Sequence, residues 1–345
     1  MTRLGTTIQA AVVQDSPAFL NLREGVQKAS LLIGRAAEAG AQLVAFPETW
    51  LPGYPVWLDL APGAALWNHA PAKAAFRLFH ENSLELGGLE IKSLGNTARK
   101  HKCIVVMGVS ERKGGSLYNT MVYLGQNGDV VGVHRKLIPT YTERLIWARG
   151  DGSTLAAPET ALGTIGGLIC WEHWMPLACS AMHAKREFVH IAQWPEVKEM
   201  NLVSSRHYAF SGQCFVLAAG ATLSRDELCA SLTGPSETVS QARSLLNEIP
   251  AERDPLLLRG GSAIIAPDGS YLAGPVYGQA AILTATLDAR IQIEGRQLLD
   301  VDGHYARPDV FRLEIDERPQ VSVRAKSVGT AAGRHALDHK ITSDI

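Results

Sequence analysis

Thr164-Ile165-Gly166-Gly167-Leu168-Ile169-Cys170-Trp171-Glu172-His173-Trp174-Met175-Pro176 decides how the rest of the chain is read. Its apolar first half reads as a buried strand. Met175-Pro176 and residues 177–184 read as a helix, with proline tolerated in the first turn. Strand followed by helix is the repeating unit of an α/β layered fold. A thiol at that junction has backbone N–H groups beside it and suits a nucleophile. Taken alone, Cys170 reads more readily as a small buried residue.

Two further segments shift that balance. Leu43-Val44-Ala45-Phe46-Pro47-Glu48-Thr49-Trp50 is an apolar strand ending in a carboxylate. Its neighbours Phe46 and Trp50 would partly desolvate Glu48 and raise its pKa, as a general base requires; the duller reading pairs it with a surface lysine. Val130-Val131-Gly132-Val133-His134-Arg135-Lys136-Leu137-Ile138-Pro139-Thr140 is a strand ending in cations. Successive strand residues point to opposite faces, so only one of Arg135 and Lys136 can face a site. A cysteine needs a base to form its thiolate, and a charged tetrahedral intermediate needs a cation and N–H donors. Glu48, Lys136 and Cys170, each at the mouth of its own strand, form such a set. His134, His173 and His207 read as satisfied structural histidines, His173 lying only three residues after Cys170.

These strings, in this order, resemble the nitrilase superfamily of carbon–nitrogen hydrolases. Phe46-Pro47-Glu48, His134-Arg135-Lys136-Leu137-Ile138-Pro139-Thr140 and Cys170-Trp171-Glu172 are similar to its glutamate, lysine and cysteine motifs. Tyr141-Thr142-Glu143-Arg144-Leu145-Ile146-Trp147, Gly150-Asp151-Gly152-Ser153, residues 170–178 and Gly303-His304-Tyr305-Ala306-Arg307-Pro308-Asp309-Val310-Phe311 resemble true nitrilases rather than amidases, carbamoylases or ureidopropionases. One departure stands out: close relatives have Pro-Leu-Ala-Arg where this chain has Pro176-Leu177-Ala178-Cys179.

The resemblance implies a four-layer αββα sandwich in one hydrolase domain over residues 1–312. From about Leu313 onward the chain is polar, mixed in charge and poor in aromatics, and this tail over 313–345 is expected to be mobile or used in assembly. It implies Cys170 as nucleophile, Glu48 as general base, and Lys136 stabilising the intermediate together with the backbone N–H of Trp171. Glu143 would orient the lysine and the substrate; its duller reading is a surface pair with Arg144, although adjacent residues do not normally meet face to face. The implied reaction converts a nitrile into a carboxylic acid and ammonia through a thioimidate and a thioester, without cofactor or metal. An amidase or carbamoylase using the same residues is one rival, and a catalytically silent assembly or binding protein is another. Ammonia release from a nitrile separates nitrilase from both. The family pairs its sandwiches into dimers that true nitrilases extend into spirals, so a homo-oligomer is expected.

Composition excludes several alternatives. With 345 residues, 46% of them hydrophobic, the chain can build one large α/β domain or two smaller ones. A net charge of −1, with 33 basic residues scattered along the sequence, offers neither a nucleic-acid track nor an anionic-membrane surface. Met1-Thr2-Arg3-Leu4-Gly5 leads straight into a strand-like run, with no secretory pattern, and no apolar run approaches a membrane span. Cys103, Cys170, Cys179, Cys214 and Cys229 are odd in number and lack C-x-x-C spacing, which fits a reduced, cytoplasmic protein. H-E-x-x-H, Walker and dinucleotide-binding patterns are absent from the sequence, so no metal or nucleotide cofactor is expected.

Periodicity lays out the remainder. Strands are expected at 8–13, 43–46, 103–109, 188–192, 215–219 and 281–287, and hairpins at 117–124/130–135 and 261–267/271–275. Helices are expected at 22–37, about 72–100, 199–212 and 289–299. Pro52-Gly53-Tyr54-Pro55-Val56-Trp57 must be a loop. Residues 220–254 look unnecessary for the core strands and available for assembly, and Val321-Ser322-Val323 could add as a strand to a neighbour. Trp147 and other aromatics could simply be core. Tyr54, Trp57, Trp171 and Trp194 lie on loops past strand ends, where a pocket would be lined, and would favour an aromatic or bulky aliphatic substrate.

Overall fold

Side-chain alternation along β1 (Thr7–Gln14) sets the layering. Ala11 and Val13 enter an apolar core shared with helices, whereas Ile8, Ala10 and Val12 enter a second core shared with another sheet. In the computed structural model, which describes residues 7–250 and 255–321, β1 leads through α1 (Leu22–Glu38) to β2 (Leu43–Ala45). The one-turn α2 (Trp57–Leu60), α3 (Ala70–Glu81) and α4 (Leu89–His101) follow. Then come β3 (Ile104–Lys113), β4 (Ser116–Leu124), β5 (Val130–Arg135) and β6 (Trp147–Ala148).

The second series runs β7 (Glu159–Thr160), β8 (Gly163–Ile169), α5 (Pro176–His183), β9 (Val189–Gln193), α6 (Glu199–Gly212), β10 (Phe215–Ala219) and β11 (Thr222–Ser224). It continues through α7 (Arg225–Ser231), α8 (Glu237–Asn247), β12 (Leu256–Ile265), β13 (Tyr271–Tyr277), β14 (Ala281–Asp288) and α9 (Ala289–Gly295).

The first sheet has the order β14-β1-β2-β3-β4-β5, with β6 beside β4; the second has β11-β12-β10-β9-β8-β7, with β13 beside β12. β14 returns to pair antiparallel with β1 and so forms the edge of the sheet beside the first strand. Met121 and Tyr123 of β4 meet Leu168, Ile191, Leu217 and Ile264 between the sheets. Helices α1, α3, α4 and α8 cover the first sheet, and α5, α6 and α9 the second. The layers are therefore helix, sheet, sheet, helix, the expected αββα sandwich. No helix among the described residues is long and apolar enough to cross a membrane.

Three details differ from the periodicity. The helix expected near 72–100 is two helices, because Asn82 caps α3 and Leu84 crosses to pair with the end of β3 before Gly87-Gly88 allow a restart. Of the stretch at 220–254, the described residues 220–250 are not surplus. β11 extends the second sheet, α8 packs on α3, and Leu228, Ala242, Leu245 and Leu246 are buried there. α9 stops at Gly295 rather than at 299. The tail is traced to Val321, where Gln320 N donates to Asp151 Oδ2 at 2.8 Å and Lys185 pairs with Glu317 at 3.0 Å. Ser322 and Val323, needed for the expected added strand, lie outside the described residues.

Candidate active site

Three strand ends converge at one edge of the sandwich. β2 gives way to the Glu48 loop, which crosses β3 so closely that a Cβ on Gly108 would lie 2.1 Å from Pro47 O; only glycine fits there. The same loop is joined to the second sheet, since Glu48 N donates to Trp194 O at 3.2 Å and Gln193 Nε2 to Phe46 O at 2.9 Å. β5 delivers Lys136, whose N–H donates to Asn119 O at 2.8 Å. β8 delivers Cys170 at a sharp turn into a helical segment, with the cysteine itself at φ 54°. A left-handed conformation at a non-glycine residue costs about 1–2 kcal/mol and persists where surrounding structure imposes it. Thr49, beside Glu48, shares the strain at φ 45°.

Glu48, Lys136 and Glu143 form a buried cluster. Lys136 Nζ donates to Glu48 Oε1 at 2.9 Å and to both Glu143 oxygens at 2.9 and 2.8 Å. Glu143 also accepts from Tyr54 Oη at 3.0 Å and from Thr140 N at 2.8 Å, so it faces inward rather than pairing with Arg144. Glu48 Oε1 is completed by Asn119 Nδ2 at 2.7 Å, while Glu48 Oε2 is buried without a hydrogen-bond partner.

Burial raises the Glu48 carboxyl to about 7, with Lys136 opposing and Glu143 adding to the rise. Burial opposes the Lys136 charge, yet Glu48, Cys170 and Glu143 outweigh it and hold the ammonium above its ordinary value. Burial, then the Glu48 charge, pushes the Cys170 thiol well above its ordinary value, with Lys136 pulling the other way.

A cavity of about 430 Å³ opens on this cluster. Cys170 and Glu143 line it with Tyr54, Trp171 and Trp194. Trp171 is at the rim, 57% exposed, and Trp194 is fully buried. Trp57 stands apart from the other aromatics expected there. It turns into the helix-side core, edge-on to Phe19 and Phe79 at 5.7 and 5.6 Å, and does not line the cavity. Trp147 is core as well, 5.8 Å from Phe79.

Two polar residues of the site went unread in the sequence. Asn119 orients Glu48 from mid-strand in β4, where a lone asparagine carries no signal. Glu172 stands in the sequence only as one residue of the cysteine motif. Its oxygens accept from Leu137 N at 2.7 Å, Ile169 N at 2.7 Å and His134 Nε2 at 2.8 Å, clamping the lysine segment to the cysteine segment. Burial favours the neutral acid, but His134 and the two backbone N–H groups hold Glu172 below its ordinary value.

A thiol, a carboxylate with a free oxygen and a buried ammonium at the mouth of an αββα sandwich define a site equipped for covalent hydrolysis. The carbon–nitrogen hydrolase family model matches residues 9–293. A bifunctional nitrilase/nitrile hydratase of Lupinus angustifolius is 38% identical over 325 residues, covering 94% of this chain and 90% of the relative. A nitrilase of Pseudomonas syringae pv. syringae is 38% identical over 327 residues, covering 90% of each. Among solved structures, a carbon–nitrogen hydrolase from Helicobacter pylori superposes with a TM-score of 0.62 at 19% identity over 85% of this chain and 93% of that one. The chain belongs to the carbon–nitrogen hydrolase family, in its nitrilase branch, and is a hydrolase acting on carbon–nitrogen bonds.

Proposed function

We propose that this enzyme hydrolyses an organic nitrile to the carboxylic acid and ammonia with Cys170 as nucleophile. The observation that carries the reading is Glu48. One of its oxygens is saturated by Asn119 and Lys136, and the other has no hydrogen-bond partner in the same buried cluster as the Cys170 thiol, which burial and then the Glu48 charge hold protonated. The relatives' names support a nitrile as substrate.

The thiol rests protonated, so Glu48 takes its proton as sulfur adds to the nitrile carbon and the π pair moves to nitrogen. The nitrogen gains that proton, giving a thioimidate. Glu48 then deprotonates a water that adds to the same carbon. Glu48 returns that proton to the nitrogen, and collapse of the tetrahedral species passes the hydroxyl proton to the leaving nitrogen, breaks the C–N bond and releases ammonia; a second water then cleaves the thioester to acid and free thiol. If the tetrahedral species breaks its C–S bond instead, an amide leaves. Lys136, with the Trp171 N–H, stabilises the negative charge at each addition. Glu143 holds the lysine in place, and Tyr54, Trp171 and Trp194 contact the organic group.

Ammonia release from aromatic, arylaliphatic and aliphatic nitriles, with the corresponding amides in parallel, tests this reading. Hydrolysis of amides with no nitrile turned over would refute it in favour of an amidase. Glu48→Gln keeps the shape but cannot accept a proton, and kcat should fall by about 10²–10⁴. A loss under about tenfold would remove Glu48 from the base role.

We also infer a homo-oligomer built on a dimer. On the outer helix layer, α5 and α6 expose Leu177, Met200, Val203 and Phe210, an apolar face of the kind that a second copy covers. Light scattering should show at least a dimer, and deletion of residues after 315 should shorten any larger spiral. A stable, fully active monomer would contradict both.

A further inference from the structure

Behind Cys170 lies a buried chain of polar groups that the chemistry above does not use. His173 Nδ1 is 2.8 Å from the Cys170 carbonyl oxygen, and His173 Nε2 is 3.0 Å from His190 Nε2. His190 Nδ1 is 2.9 Å from Glu187 Oε1, and the Tyr208 hydroxyl donates to Glu187 Oε2 at 2.6 Å. His173, His190, Glu187 and Tyr208 are all buried. β8 makes room for the carboxyl with Gly166, where a Cβ would lie 1.8 Å from Glu187 Oε1.

The proton positions follow from what each atom can do. A carbonyl oxygen only accepts, so His173 carries its proton on Nδ1. A neutral His173 then offers a lone pair at Nε2, which requires His190 to donate from its own Nε2. That leaves His190 Nδ1 as an acceptor and makes Glu187 the donor, as a carboxylic acid. An ion pair between Glu187 and His190 holds the same number of protons. Remove that one proton and His190 has a single N–H for two acceptors. It can serve Glu187 or His173, and if it turns to Glu187, His173 must choose between His190 and the Cys170 carbonyl.

We propose that His173, His190 and Glu187 are positioning residues, a one-proton relay that holds the Cys170 carbonyl, and with it the strained nucleophile turn, in place and slackens when the relay's proton is lost. The effect on turnover rests on the nitrile-hydrolysis reading; the relay itself does not.

The surrounding groups fit a neutral chain. Burial, then the neighbouring His190, pushes His173 down to about 3, and burial holds His190 well below its ordinary value. Burial raises Glu187 to about 8, against Tyr208, His183 of α5 and Lys185, which pull it down. Burial also keeps His183 neutral, down at about 4. Tyr123 of β4, Tyr208 of α6, Cys179 of α5 and Cys214 before β10 also face Glu187, and burial keeps all four protonated. Glu172 and His134, which bear on His173, are paired to each other. α9 contributes Gln292, bonded to the Glu187 carbonyl at 2.6 Å. Because the folded value of Glu187 lies above the ordinary carboxylate range, its stabilising protonated form is complete at acid pH and is lost as pH rises through about 8.

Two measurements decide. In kcat–pH profiles, wild type should lose activity on the alkaline side with a midpoint near 8. Glu187→Gln, whose amide donates permanently to His190, should stay within about threefold at neutral pH and move that loss up by about one pH unit or more. His173→Phe keeps a ring but no N–H, and should be about ten- to a hundredfold slower at every pH. A purely structural Glu187 would leave the alkaline limb of the glutamine variant unmoved, which would overturn the relay, as would a wild type with no such limb. Nitrogen-15 histidine spectra of the wild-type protein need neither a variant nor turnover. His173 should be the Nδ1–H tautomer and His190 the Nε2–H tautomer at neutral pH; a proton on His173 Nε2 would overturn the proposal. If no nitrile is turned over, the functional reading fails and the spectra still decide the relay.

Discussion

Cys170→Ala should abolish nitrile turnover and leave the fold intact. The substitution removes one sulfur atom from a side chain that lines an open cavity, so no sealed void is created. Alanine meets the same left-handed backbone at φ 54° that cysteine already tolerates. The stability change should be about 1 kcal/mol or less, small against the margin of a domain this size. Chemistry has no such margin. Without sulfur there is no C–S bond to form, and neither Glu48 nor Lys136 can supply a covalent substitute. Ammonia release should fall to the assay background while thermal unfolding stays near wild type. Measurable turnover in a preparation free of wild-type enzyme would remove Cys170 from the nucleophile role.

Lys136→Ala should be the more damaging change overall, because it fails twice. Lys136 is the only cation bonded to Glu48 and Glu143 among the described residues, and its removal leaves two carboxylates buried without it. Breaking a buried pair by removing one partner costs about 3–5 kcal/mol, and Glu48, already raised by burial, relieves part of that by taking up a proton. A protonated Glu48 is no longer a base, so the loss of the charge that stabilises the intermediate is compounded by the loss of the base. Turnover should fall by at least about 10²–10³. Unfolding should also shift to lower temperature, more so as pH rises and Glu48 is forced to ionise. Lys136→Ala within about tenfold of wild type, or as stable at high pH as at low, would show that the ammonium does not bind the cluster together.

The sequence was most legible where one residue type at one kind of position suffices. Cys170, Glu48 and Lys136 each end an apolar run, and strand alternation already allowed only one of Arg135 and Lys136 to face inward. In the fold Arg135 points the other way, paired with Glu111 at 2.6 Å. Roles that depend on distant partners were hidden. Asn119 matters only because its strand lies opposite the Glu48 loop, and Glu172 only because Leu137 and His134 arrive beside it. In the sequence, His173 lies only three residues after Cys170 and reads as a satisfied structural histidine. Its ring instead holds the Cys170 carbonyl, a bond that three-residue spacing permits and sequence cannot show. Trp57 failed for a local reason: α2 begins at that residue, and its first turn swings the indole into the core. Residues 220–254 look unnecessary for the core strands, yet Ala242, Leu245 and Leu246 make one apolar face that packs on α3.

The most direct test of the covalent reading is mass spectrometry of the enzyme quenched during turnover of a slowly processed nitrile. One peptide, that containing Cys170, should gain the mass of the whole nitrile as thioimidate, or of the acyl group as thioester, and Cys170→Ala should gain neither. Turnover with no adduct on that peptide, or with the adduct on Cys103, Cys179, Cys214 or Cys229, would contradict Cys170 as the nucleophile.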